Sequence, residues 1–136
     1  GILLWGNHSY ISKLFVLQKR AVRIIDGVPG RYHCKLLFIK YGILTLPSMY
    51  ILSCLMYVKV NLHKYNLNCD FHCYSTRNRN NLYPNKPKYE VIRKRFDTVP
   101  INLFNSIPTS VKHLPEKNSS LFLRSKLTAN PLCNLD

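Results

Sequence analysis

Ser9-Tyr-Ile-Ser-Lys-Leu-Phe-Val-Leu-Gln-Lys-Arg-Ala-Val-Arg-Ile-Ile25, followed by Asp26-Gly27 and then Pro29-Gly30, is the stretch on which the fold class turns. Ile11, Leu14, Phe15, Leu17, Ala21, Val22, Ile24 and Ile25 recur at three- and four-residue steps, with Lys13, Gln18, Lys19, Arg20 and Arg23 between them. That period predicts an amphipathic helix with a basic face. Ser9 or Ser12 is placed to cap its start. Gly27 supplies the left-handed residue that ends a helix, and Pro29 cannot extend the hydrogen-bond ladder.

Working outward, a second short helix is expected over 33–41, with Gly42 as its C-terminal cap and with neighbours needed for its stability. Thr45-Leu-Pro47 marks a new start, because proline is tolerated in the first turn. From 47 to about 63 nothing breaks the pattern, and apolar residues occupy nearly the whole circumference, with Tyr50 and Tyr57 two turns apart. This predicts a central helix packed on more than one side. Past Lys64 the texture changes: Asn66, Asn68, Asn78, Asn80, Asn81 and Asn85 gather with Pro84 and Pro87, and no helical period survives. A loop or extended segment is expected there. Val99, Ile101, Leu103, Phe104 and Ile107 then give a short helix or strand before Pro108, and Ser119 or Ser120 is placed to cap a last helix carrying Leu121, Phe122, Leu123 and Leu127. The expected fold is mainly α, a small helical domain with a long basic loop and a short C-terminal helical segment. The regions are helical 1–63, loop 64–98 and helical 99–136.

The 136 residues carry 20 Lys plus Arg against 6 Asp plus Glu, a formal net charge of +14, yet 46% of them are hydrophobic and only 19% charged. The chain is too apolar for a disordered basic tail. A folded chain with so much charge of one sign repels itself, which makes a polyanion its natural partner. The carboxylates Asp26, Asp70, Glu90, Asp97, Glu116 and Asp136 are scattered, with no two within four residues, so a local paired-carboxylate site is excluded. Catalytic residues are not expected. Ile2-Leu-Leu-Trp5 lacks the basic flank and length of a signal peptide and reads as the cut end of a longer chain. The apolar run over 47–58 falls short of the roughly 20 residues of a membrane span. Five cysteines without a secretory signal favour free thiols in an intracellular setting.

The strongest chemical signal lies between His72 and Phe96. Arg77, Arg79, Lys86, Lys88, Arg93, Lys94 and Arg95 stand against one carboxylate, Glu90, with Tyr74, Tyr83 and Tyr89 interleaved. Basic side chains neutralise phosphates with counterion release, and tyrosine rings offer faces on which unpaired bases stack. The plainer alternative is a solvated basic loop. The basic face of the first helix, Lys13, Lys19, Arg20 and Arg23, admits the same two readings. Cys69, His72 and Cys73, with His63 nearby, form one cluster where structural zinc asks for two close ligand pairs, so neither a metal nor another cofactor is expected. Gly1 and Gly6 have phosphate-loop spacing, but Asn7 stands where the lysine belongs.

Five stretches together resemble the C-terminal end of the reverse transcriptase polyprotein of jockey-like non-LTR retrotransposons. Gly1-Ile-Leu-Leu-Trp-Gly-Asn7 is similar to the segment closing the family's thumb region, and Leu17-Gln-Lys-Arg-Ala-Val-Arg-Ile-Ile25 to the helix that follows. Leu44-Thr-Leu-Pro47 comes next, then His72-Cys-Tyr-Ser-Thr-Arg-Asn78, which resembles a His-x-Tyr-x-Thr-Arg-Asn block. Ile101-Asn-Leu-Phe-Asn-Ser-Ile-Pro108 with Val111-Lys112 is similar to the terminal block, where a leucine usually precedes the proline.

The resemblance implies a parent RNA-directed DNA polymerase, a transposable-element enzyme whose catalytic Tyr-x-Asp-Asp lies upstream. This chain contains no Asp-Asp pair. It implies a non-catalytic C-terminal piece with two partners, nucleic acid (RNA template or target DNA) and the upstream polymerase domain, with no membrane and a nuclear and cytoplasmic location. Arg77, Arg79, Lys86, Lys88, Arg93, Lys94 and Arg95 are expected to hold phosphates, with stacking by Tyr74 and Tyr83. His72, Tyr74, Thr76 and Arg77 are alternatively structural, pinning the loop. Two further readings stay open: a structural extension packing on the polymerase domain, and a decayed element remnant with no present role.

Overall fold

The computed structural model describes residues 1–84 and 98–132. These form eight α-helices: α1 (Ile2–Trp5), α2 (Ile11–Asp26), α3 (Cys34–Lys40), α4 (Leu46–Val60), α5 (Asn68–Phe71), α6 (Thr98–Ser106), α7 (Thr109–Lys112) and α8 (Glu116–Ala129), with a 3₁₀ turn at Leu62–Lys64. No strand is present among the described residues, and the one isolated β-bridge joins Leu67 to Leu82. The mainly helical class read from the sequence is the one observed. The chain divides into two compact units, Gly1–Ser53 with the chain from Ser120 onward, and Cys54–Ser119.

In the first unit, α2 ends as its sequence dictates. Gly27 takes φ 73°, the Gly27 N–H donates to Ile24 O and the Val28 N–H to Arg23 O, the paired bonds that satisfy a helix's last carbonyls. Gly42 (φ 60°) repeats the device after α3, with its N–H on Ile39 O and the Ile43 N–H on Phe38 O. The start of α2 differs from expectation. Tyr10 precedes the helix, and neither Ser9 nor Ser12 caps it. The chain enters already turning, with the Ile11 N–H on His8 O and those of Lys13 and Leu14 on Tyr10 O, so the main chain itself satisfies these groups.

The apolar face of α2 also needs correction. Ile11, Phe15 and Val22 are buried, whereas Leu14, Leu17, Ile24 and Ile25 are between 41% and 79% exposed. The core is built on the first set: Phe15, Val22, Cys34, Leu37 and Phe38 form one cluster, with Val28, Ile43 and Leu46 packed against it. The Phe15 and Phe38 rings meet at 6.1 Å.

Two polar clasps order the turn between α3 and α4. The Gln18 side-chain amide donates to Leu44 O (2.9 Å) and its oxygen accepts from the Leu46 N–H (3.0 Å). Fully buried Thr45 stands just before α4, its Oγ1 accepting from the Ser48 N–H at 3.3 Å as an N-cap and donating to Leu132 O at 2.8 Å. The start read at Thr45-Leu-Pro47 is therefore the observed one. Along α4 only Met49 and Val60 are exposed, as expected of a helix apolar on all sides.

Asp26, at the C-terminal end of α2, accepts from the Lys40 ammonium and from the Tyr41 hydroxyl (2.6 Å). The Lys40 hydrogen bond first, and that of Tyr41 second, hold its carboxyl below the ordinary value of 3.8, while Lys40 is raised chiefly by the same bond. A depressed carboxyl contributes stability above its unfolded pKa and loses it as pH falls through the folded one. Thermal melts should therefore show the midpoint dropping below about pH 4, and Asp26→Asn should flatten that acid limb.

The second unit departs from the sequence reading in two places. The asparagine-rich stretch contains a one-turn helix, α5, because the Asp70 carboxylate accepts from the Leu67 N–H (2.7 Å) and stabilises a turn too short to leave a periodic pattern. Helix α8 starts at Glu116, not at Ser119 or Ser120. The Ser119 N–H already bonds Pro115 O (2.8 Å), and its side chain is buried inside the first turn. The segment opening at Val99 is the helix α6, with Pro100, Ile101 and Phe104 buried.

Candidate nucleic-acid interface

The segment 66–84 is a closed loop. Its mouth is joined by main-chain bonds from the Asn68 N–H to Asn81 O (2.9 Å), the Cys69 N–H to Arg79 O (3.1 Å) and the Tyr83 N–H to Asn66 O (2.8 Å). The Asn68 side chain donates to Asn78 O (2.8 Å), and that of Asn81 approaches Asn78 Oδ1 at 3.4 Å. From α6, Asn105 grips the returning segment at both polar groups of Leu82: its Oδ1 accepts from the N–H and its amide donates to the C=O, each at 2.9 Å. One asparagine side chain thus does what a neighbouring strand would do, and Leu82 beneath it is 4% exposed.

Lysines tie down the ground on which this clasp stands. Lys59 Nζ donates to Lys112 O (2.7 Å) at the end of α7, and Lys112 Nζ donates to Asn105 O (3.0 Å) in the last turn of α6. Cations on terminal helix carbonyls complement the helix dipole. Burial holds both ammonium groups below the ordinary lysine value. The sign is the same as for Asp26, at a higher pH: the unfolded chain keeps the proton more firmly, so stability rises as pH climbs toward the ordinary lysine value.

The loop presents the expected residues unequally. His72, Tyr74, Thr76, Arg77 and Arg79 are all exposed, Tyr74 at 79%. His72, Tyr74, Thr76, Arg79 and Tyr83, with Asn68, line a cleft of about 300 Å³, whereas Arg77 lies outside it. The Tyr83 ring rests on Phe71 (centroids 4.3 Å apart, 36° between planes), which covers one of its faces. The Tyr74 ring, by contrast, is open to solvent. Asp70, the carboxylate nearest these arginines in sequence, is turned back onto the Leu67 N–H. Lys86, Lys88, Arg93, Lys94 and Arg95 lie outside the described residues.

Among the described residues, the side chains that hold the loop by hydrogen bonds are Asn68, Asp70, Asn78, Asn81 and Asn105. The sequence reading took Asn68, Asn78 and Asn81 only as loop composition and Asp70 only as one of the scattered carboxylates, and it gave Asn105 no role. Their signal was the known capacity of Asn and Asp to bond nearby main chain. Cys69 is half-buried and Cys73 exposed, both with free thiols. Among the described residues no group of three His, Cys, Asp or Glu stands close enough to hold a metal. Nor is any helix among them long and apolar enough to cross a membrane.

The fold and the loop define a class, a mainly helical chain with a clasped, cationic and aromatic loop. In comparisons with known proteins, no family model matches the chain, no curated protein matches it, and no solved structure matches it.

Proposed function

We propose that this chain is the C-terminal, non-catalytic part of a retrotransposon RNA-directed DNA polymerase and that it positions RNA template or target DNA through the basic, tyrosine-bearing segment beginning at His72. One observation carries the reading: the loop is held closed by asparagines, which leaves Tyr74, Arg77 and Arg79 exposed while the nearest carboxylate is consumed by the turn. Such a surface offers phosphate contacts and an open stacking face at little ordering cost. The stretches similar to the polymerase family support it further, since Gln18, Thr45 and Asn105 within them make the polar clasps of the fold.

Arg77→Ala with Arg79→Ala should weaken binding of single-stranded RNA or duplex DNA and flatten its salt dependence by about one phosphate contact per residue. Fluorescence anisotropy across salt concentrations measures both. Unchanged affinity and slope would sink the assignment. If Arg77 instead pins the loop, the melting temperature will fall before binding changes.

A second reading, a structural extension that packs on the upstream polymerase domain, is favoured by one specific feature. Tyr10, just before α2, and Leu14, Leu17, Ala21 and Ile24 along it are exposed at alternating four- and three-residue steps. That is the spacing of a helix–helix seam. Self-association that Leu17→Glu with Ile24→Glu abolishes would support it, and a monodisperse unmodified chain would not.

A further inference from the structure

A second cationic concavity lies in the unit that contains α2 and α3, and it shares no residue with the 66–84 loop. Lys19, Arg23, Arg31 and Lys35 line a cleft of about 280 Å³ together with Tyr32 and His33, and Phe15 and Phe38 line it from the core. Among the described residues of this unit Asp26 is the one carboxylate, and it is taken by Lys40 and Tyr41. None of the four cations has an ion-pair partner among the described residues.

Two of them are already fixed. Arg23 Nε donates to Tyr32 O at 3.0 Å, using one of the guanidinium's five N–H groups and leaving four for a ligand. The Lys19 ammonium sits 4.1 Å from the Phe15 ring centroid, its side chain half-buried. Lys19 and Arg23 are four apart on α2, a like-charge spacing that costs a helix stability. Bringing Arg31 and Lys35 to the same concavity adds to that repulsion, which a bound anion would relieve. Arginine forks match the oxygens of a phosphate, and Tyr32, 43% exposed, adds an aromatic face to the same wall.

We propose that this cleft is a phosphate site, holding a backbone phosphate of single-stranded RNA or DNA between Lys19, Arg23, Arg31 and Lys35. The assignment rests on the reading of the chain as a nucleic-acid binder but on none of the residues of the 66–84 loop. The phosphates are those of a strand that also spans the cleft's aromatic wall, not of a free small anion.

The test uses the full chain and a short labelled single-stranded RNA, followed by anisotropy across salt. Arg31 and Lys35 are exposed and make no side-chain hydrogen bond among the described residues, so Arg31→Glu with Lys35→Glu leaves the fold's bonds in place. It should weaken binding by about tenfold or more at low salt and flatten the log–log salt slope by about one to two contacts. Arg31→Gln with Lys35→Gln should do the same in smaller measure. Lys13→Glu with Arg20→Glu, on α2 but outside the cleft, should cost clearly less; an equal loss would mean diffuse charge and overturn the site. Unmodified affinity in the Arg31→Glu, Lys35→Glu variant overturns the cleft and leaves the loop reading intact. Loss in that variant, with unchanged binding in Arg77→Ala, Arg79→Ala, supports the cleft and overturns the loop. A chain that binds neither single-stranded RNA nor single-stranded DNA overturns both.

Discussion

Phe38→Ala will destabilise the unit containing α2 and α3 by about 3–5 kcal/mol, the range for truncating a fully buried phenylalanine. Phe38 is 1% exposed and belongs to the cluster of Phe15, Val22, Cys34 and Leu37, with Val28, Ile43 and Leu46 packed at its edge. Its carbonyl also accepts the Ile43 N–H that closes α3, so the helix end and the core are ordered by the same residue. Helix α3 has seven residues, too few to persist without packing. Losing the ring therefore removes transfer free energy, opens a cavity and loosens the helix that bears Lys35. Urea unfolding followed by circular dichroism measures the loss; a change below about 1 kcal/mol would mean that the site is not the packed core described. Phe38→Leu, which keeps most of the volume, should cost clearly less.

Asn105→Ala will cost about 2–4 kcal/mol in the other unit, because it leaves two main-chain groups of Leu82 without partners at about 1–3 kcal/mol each. Both bonds are 2.9 Å and both end on a residue that is 4% exposed, where water cannot fully replace them. The mouth of the loop loses its anchor to α6, so amide exchange at Asn68, Cys69 and Tyr83, whose N–H groups close the mouth, should accelerate along with that of Leu82. Asn105→Asp keeps the acceptor for the Leu82 N–H but loses the donor to its carbonyl, and should fall between alanine and asparagine. RNA binding should weaken in step with the loop's opening. Arg77→Ala with Arg79→Ala should instead lower binding while leaving the unfolding midpoint unchanged, which separates the residues that present the surface from those that contact the ligand.

The helices were legible where period and punctuation agreed. Alternation over 9–25 with Gly27 beyond it, and Thr45-Leu-Pro47 ahead of an unbroken apolar run, located α2 and α4 because caps and prolines act locally. Which apolar residues of α2 face the core was not legible. Leu14 and Leu17 are as hydrophobic as Phe15, and only the position of α3 decides between them. The asparagines were visible as residues and opaque as a structure, since a side chain that bonds a main chain 23 positions away leaves no periodic trace. The start of α8 was placed too late for a related reason: Ser119 looks like a cap by type, but Pro115 and Glu116 already begin the turn. For the proposed binding surface, Tyr74, Arg77 and Arg79 were legible as residues. The fold added that Tyr83 has one face covered and that Arg79, not Arg77, lines the cleft. The basic cleft beside α3 was invisible in outline, because Arg31 and Lys35 join Lys19 and Arg23 only across the turn.

The most direct test of nucleic-acid positioning is anisotropy of the purified chain with labelled single-stranded RNA, an RNA–DNA hybrid and duplex DNA, each titrated across salt. Steep salt dependence with a preference for one of the three is the predicted result and names the ligand. Equal, shallow binding to all three, or no binding, would contradict a positioning role and leave the structural extension as the better reading.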